Sequence, residues 1–144
     1  MPTGVKIYDW MLTLFRGRIR MSVPMIYASG FLMLFVLGGL TGIVLAVPSV
    51  DYQVHNSLFL VAHFHNMLIP GLLFGMLAGT NFWFPKAFGF RLEERWGRRA
   101  AYAWIIGFML AFFPLYALGV LGMPRRTVAF FTPAYLPWTL TALV

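Results

Sequence analysis

Residues 57–84 read SLFLVAHFHNMLIPGLLFGMLAGTNFWF, with no Asp, Glu, Lys or Arg among them. A transmembrane helix takes ~20 apolar residues, so this stretch is long enough to cross a bilayer. His63 and His65 interrupt it at membrane depth. An imidazole is costly there and marks a functional site by default. Each helical residue turns the direction of view by ~100°, so positions i and i+2 point to nearly opposite faces. Two histidines so spaced do not readily grip one metal ion from one helix, but each can serve a separate site on its own side. The competing reading is a pair of packed, hydrogen-bonded histidines in a transporter helix.

Outward from this stretch, two further apolar runs are legible, at about 24–47 and 100–123, and together they predict three full spans with 57–84 as the second. Their glycines, among them Gly38, Gly42, Gly75 and Gly119, suit close helix packing in lipid. Pro70 and Pro114 fall inside spans, where each is expected to bend its helix and free a backbone carbonyl. Residues 1–14 and 136–144 read as partial helices, so both ends look cut and the chain reads as part of a larger bundle. The start, MPTGVKIYDW, lacks the basic region, apolar core and small-residue cleavage site of a signal peptide.

Composition agrees with an all-α integral membrane protein: 60% of residues are hydrophobic and 10% charged. The net charge of +7 does not indicate a nucleic-acid partner, because the basic residues sit in short loops between apolar runs, as topology signals do. The absence of cysteine excludes disulfides, zinc–thiolate sites, iron–sulfur clusters and covalent c-type haem.

The loops set the orientation. Arg16, Arg18 and Arg20 precede the first span, and Lys86, Arg91, Arg95, Arg98 and Arg99 lie between the second and third. By the positive-inside rule, loops 15–23 and 85–99 are expected to be cytoplasmic. The loop 48–56 on the other side carries Asp51 and no Lys or Arg. Arg125 and Arg126 share that side, against the rule. His63 and His65 are read as roughly ten residues into their helix from the same side, about 10–15 Å deep. A pair of arginines there suits the two propionates of a haem, since arginine is a planar donor fork that stays charged. An interfacial anchor to lipid phosphate is the alternative.

These residues resemble a known family. VHNSLFLVAHFHN at 54–66 is similar to the tenth helix of subunit I of haem–copper terminal oxidases. Pro2-Thr3-Gly4-Val5-Lys6 resembles the end of that subunit's eighth helix. FPKAFGF at 84–90, Trp96-Gly97, PLYALG at 114–119 and GMPRR at 122–126 resemble the loop and helix that follow. The likeness runs through nearly the whole chain in order, from the end of helix eight to the start of helix twelve of a twelve-helix core. His55-Asn56-Ser57-Leu58-Phe59-Leu60 and the run around Lys86 look most like bacterial bo-type ubiquinol oxidases.

The resemblance implies roles. His63 is the axial ligand of the high-spin haem, where oxygen binds opposite copper. His65 is one of two axial ligands of the low-spin haem, and Phe64 lies between the haems. Arg125 and Arg126 hold propionates, with Asp51 near those of the high-spin haem. Thr3 and Lys6, on one helix face at i, i+3, belong to the K proton pathway. A snorkelling lysine is the alternative for Lys6. His55 is a candidate magnesium ligand or a structural interfacial histidine. Asn56 stands where cytochrome c oxidases usually have Asp, which weakens such a magnesium site.

The implied cofactors are two haems (b and o, with a as the alternative) and copper. The copper ligands, the cross-linked tyrosine and the second low-spin ligand belong to helices outside this chain, so it is not catalytically complete alone. The implied partners are the remaining helices of subunit I, subunits II and III, ubiquinol or cytochrome c, oxygen and membrane lipid. The implied activity is reduction of oxygen to water with quinol electrons, coupled to proton pumping in the bacterial inner membrane. Two readings compete: the same subunit of a cytochrome c oxidase, and an inactive truncated product or haem-free membrane bundle. Nitric oxide reductases share the His-x-His helix, but Lys6 and the 122–126 pattern look more like the oxidases.

Overall fold

The computed structural model describes residues 2–127 and 133–143. Of the two partial helices expected at 1–14 and 136–144, the terminal residues Met1 and Val144 lie outside the described residues. In chain order the helices are α1 (Pro2–Arg16), α2 (Val23–Leu45), α3 (Pro48–Val54), α4 (Leu58–Leu68), a π turn (Ile69–Phe74), α5 (Gly75–Phe88), α6 (Glu94–Val120), a 3-10 turn (Pro133–Tyr135) and α7 (Leu136–Ala142). α4, the π turn and α5 run on as one helix from Leu58 to Phe88. That helix, α2 and α6 are each long and apolar enough to cross a membrane. The chain is an all-α, multi-pass membrane protein.

Helix extends beyond the apolar residues on the basic side. α5 reaches Phe88 and α6 starts at Glu94, so the loop expected at 85–99 narrows to residues 89–93. Helical hydrogen bonding does not need apolar side chains, and arginine and glutamate are good helix formers. Arg98 donates to Glu94 one turn earlier at 2.7 Å, a favourable pairing across an exposed helix face. Gly89 stops α5 in the left-handed conformation, at φ 78°, where glycine carries no Cβ penalty. On the other side, most of the loop expected at 48–56 is α3, opened by Pro48 in its first turn.

The two internal prolines behave differently. Pro70 has no N–H to give to the carbonyl four residues back, and the chain around it widens into the π turn. Pro114 lies inside α6, which stays α-helical through it.

The buried core joins α2, the π turn and α6: Val23, Ile26, Tyr27 and Leu34 from α2, Phe74 from the π turn, and Ala101 and Phe108 from α6. α4 crosses α6 at Gly119. A Cβ on Gly119 would fall onto the backbone and Cβ of Phe59, so only glycine permits this approach. α1 has no buried residue and leans on α2 through an edge-to-face contact of Trp10 with Phe31, ring centroids 5.2 Å apart.

Candidate functional site

The helix that carries the histidines has a built start. Asn56 sits at φ 60°, a left-handed position that Asn tolerates better than most residues, and it turns the chain from α3 into α4. Ser57 caps α4: its hydroxyl accepts from the Phe59 N–H at 3.2 Å and donates to the Val54 carbonyl at 2.6 Å. Two main-chain bonds tie this start to the segment after α6. The Leu58 N–H donates to the Met123 carbonyl at 3.0 Å, and the Arg125 N–H donates to the Asn56 carbonyl at 2.8 Å. The clasp brings Arg125 and Arg126 to the same end of the bundle as the start of α4.

His63 lies five residues into α4 and His65 seven, about 8 and 11 Å from its start at 1.5 Å per residue. That is shallower than the roughly ten residues read from the sequence. The span starts where the sequence placed it, within one residue of Ser57, so the count to the histidines and not the helix start was too large.

The two imidazoles meet different neighbours. His63 faces α2: its Nδ1 lies 3.0 Å from the Gly38 carbonyl and 3.0 Å from Thr41 Oγ1. A carbonyl only accepts, so Nδ1 is the protonated nitrogen and Nε2 carries the lone pair. Gly42 makes room for the ring, since a Cβ there would stand 2.8 Å from His63 Cε1. His65 turns to α6: its ring stacks on Phe112 at 4.7 Å with an interplanar angle of 23°. Its Nδ1 donates to the Val61 carbonyl one turn back at 2.8 Å. Neither Nε2 has a hydrogen-bond partner among the described residues. Phe64 is exposed between the two, its ring 4.4 Å from that of His65.

An imidazole whose Nδ1–H is held by a backbone carbonyl presents Nε2 in a fixed orientation, the usual preparation of a metal-ligating histidine. With no cysteine in the chain, nitrogen from these two rings is the fitting donor for an iron between helices. The donor set therefore fits haem on both faces of α4.

A polar chain that sequence reading missed runs from α4 to His63. Asn66 is buried (1% exposed), and its amide donates to Tyr116 Oη at 3.2 Å. Tyr116 Oη lies 3.2 Å from Thr41 Oγ1, which in turn donates to the Gly38 carbonyl at 2.7 Å. The hydroxyl proton of Thr41 is thereby used, so Tyr116 is the donor to Thr41. The Asn66 side-chain oxygen has no partner among the described residues. The signal available in the sequence was that Thr41, Asn66 and Tyr116 are among the few polar residues of the spans; their meeting depends on how α2, α4 and α6 cross.

The other predicted residues lie apart from this cluster. Arg125 is half-buried and Arg126 exposed, the latter at φ 64°, and neither pairs with a carboxylate among the described residues. Asp51 Oδ1 lies 3.4 Å from His55 Nδ1, on the exposed face of α3. No third His, Asp or Glu joins them among the described residues. Thr3 and Lys6 are exposed on α1. Lys6 stands ten residues before the basic end of that helix, about 15 Å along it.

Comparison with known proteins covers the chain. The family described as Cytochrome C and Quinol oxidase polypeptide I matches residues 1–144. The chain is 55% identical over 141 residues, 98% of its length, to a probable cytochrome c oxidase subunit 1 of Bradyrhizobium diazoefficiens. It is 50% identical over 143 residues, 99% of its length, to the ubiquinol oxidase subunit 1 of Acetobacter aceti. It is 58% identical over 125 residues, 87% of its length, to a cytochrome bo(3) ubiquinol oxidase subunit 1 of Buchnera aphidicola. These matches occupy 21%, 22% and 19% of the relatives, so the chain spans about a fifth of their length.

Proposed function

We propose that this chain, which belongs to the family of cytochrome c and quinol oxidase polypeptide I, supplies one axial histidine to each of two haems in subunit I of a proton-pumping bacterial quinol oxidase that reduces oxygen to water. The observation that carries this reading is the pair His63 and His65, turned to α2 and α6 respectively, each with Nδ1–H on a backbone carbonyl and Nε2 uncommitted.

In this reading the haems and copper supply the electron and oxygen chemistry when bound, and the protein supplies orientation and electrostatics. His63 presents Nε2 to the high-spin haem and His65 to the low-spin haem. Phe64, exposed between them, fills the space on the electron path. Arg125 and Arg126 offer guanidinium forks to propionates, with Asp51 nearby; charge-assisted bonds of this kind are the strong ones. Thr3 and Lys6 move protons toward the oxygen-reducing centre. The haems are b and o. Copper ligands, the second ligand of the low-spin haem and any further magnesium donors come from the remaining helices and from subunits II and III. Residues 15–23 and 85–99, which carry the clustered Arg and Lys, face the cytoplasm by the positive-inside rule, and the membrane is the bacterial inner membrane.

Two of the relatives are named as ubiquinol oxidases, and Asn56 replaces the acid that would favour magnesium, which supports quinol as donor. A second reading, a cytochrome c oxidase, is favoured by the name of the Bradyrhizobium relative at 55% identity. The test is oxygen consumption by the intact complex purified from source membranes. Turnover with ubiquinol and none with reduced cytochrome c is expected. The reverse selects the second reading. A complex that lacks haem overturns both.

A further inference from the structure

We infer that Thr41 and Tyr116 are positioning residues that tune His63 as an iron ligand, by setting how strongly its Nδ1–H is hydrogen-bonded. The inference rests on the reading above that His63 ligates the high-spin haem. The His63 Nδ1–H is shared between two acceptors at equal distance, the Gly38 carbonyl and Thr41 Oγ1, both 3.0 Å away. Thr41 donates its own proton to the same carbonyl at 2.7 Å. Its Oγ1 also receives the Tyr116 O–H at 3.2 Å, and Tyr116 is held by the amide of buried Asn66. Three helices thus converge on one imidazole nitrogen.

The chemistry gives the two hydroxyls opposite signs. Acceptors on the outer N–H of a ligating imidazole raise its basicity toward the metal. Thr41 Oγ1 is such an acceptor, so it strengthens the ligand. Tyr116 competes with His63 for that same oxygen and reinforces the Thr41 donation to Gly38, so it weakens the ligand. Asn66 fixes Tyr116 in place. The chain is a built-in adjustment of the iron–histidine bond, read from outside the coordination sphere.

The test uses the assembled oxidase carrying Thr41→Val, Thr41→Ser or Tyr116→Phe, with both haems retained. The readouts are the iron–histidine stretching band of the reduced high-spin haem and the midpoint potentials of both haems. Thr41→Val is expected to lower the band frequency and favour reduction of that haem by about fivefold, the worth of one ordinary hydrogen bond. Tyr116→Phe is expected to shift both in the opposite sense, and Thr41→Ser to restore wild-type values. General loosening of the packing does not produce shifts of opposite sign. Unshifted or same-signed values overturn the inference. If Thr41→Val does not assemble, Tyr116→Phe carries the test alone, since it keeps the Thr41 hydroxyl, and an unshifted band then overturns it. A shift confined to the low-spin haem overturns instead the assignment of His63 to the high-spin haem, and leaves the hydrogen-bond relation standing.

Discussion

Gly42 faces the imidazole of His63 across the α2–α4 contact, where a Cβ would stand 2.8 Å from Cε1 and 3.5 Å from Nε2. The ring therefore lies against bare backbone by its Cε1 edge, the carbon between the two nitrogens. Gly42→Ala is expected to push the ring aside, at a cost of about 1–3 kcal/mol for overpacking. High-spin haem content in the purified complex should fall while low-spin content holds. Gly39→Ala is the control, because nothing lies within 4 Å of its Cβ position. Equal haem content in all three proteins would remove His63 from the high-spin site.

The two histidines of α4 face different helices, His63 α2 and His65 α6, which makes a paired prediction. Replacing His65 by Ala should abolish the low-spin haem spectrum and leave the high-spin one largely intact. Replacing His63 by Ala should do the converse. Reduced-minus-oxidised difference spectra of membranes decide this, and equal loss of both haems from either substitution counts against separate faces.

The crossing at Gly119 is tighter than any other glycine contact in the bundle among the described residues. Gly119→Ala would set a methyl group onto the Phe59 backbone and drive α4 from α6. The destabilisation should exceed the roughly 1–3 kcal/mol of ordinary overpacking, because backbone rather than a side-chain tip must move. Assembled complex per unit membrane protein should drop sharply. Gly107→Ala, in open space on the same helix, should leave the yield unchanged.

Lys6 is exposed and unpaired among the described residues, on the same face of α1 as Thr3. Lys6→Met keeps the length of the side chain and removes its proton-carrying nitrogen. Haem content should stay constant while reduction of the high-spin haem slows, by about 10²-fold if the group relays protons. Stopped-flow reduction measures this, and unchanged kinetics leave Lys6 as a lysine reaching toward the membrane edge.

The three spans were legible because bilayer thickness imposes a length that residues 23–45, 58–88 and 94–120 satisfy. Their ends were not, because Arg95, Arg98 and Arg99 continue a helix as readily as they form a loop. The opposite directions of His63 and His65 followed from helical periodicity alone. Their depth was overcounted, since α4 begins at Leu58, five residues before His63. Thr41, Asn66 and Tyr116 stayed invisible as a group: they come from three helices, and nothing local in the sequence encodes where those helices cross. Pro70 and Pro114 look alike in sequence, yet only the first sits in a widened turn.

The clasp between Asn56–Leu58 and Met123–Arg125 is made of peptide groups alone. The spacing between the arginine pair and the start of the histidine helix therefore does not rest on the side chains of Leu58 and Arg125. Only a proline at position 58 or 125 removes one of its two donors. The register of this end of the bundle is thus insulated from most single substitutions, and selection on those side chains is left to act on chemistry rather than on alignment.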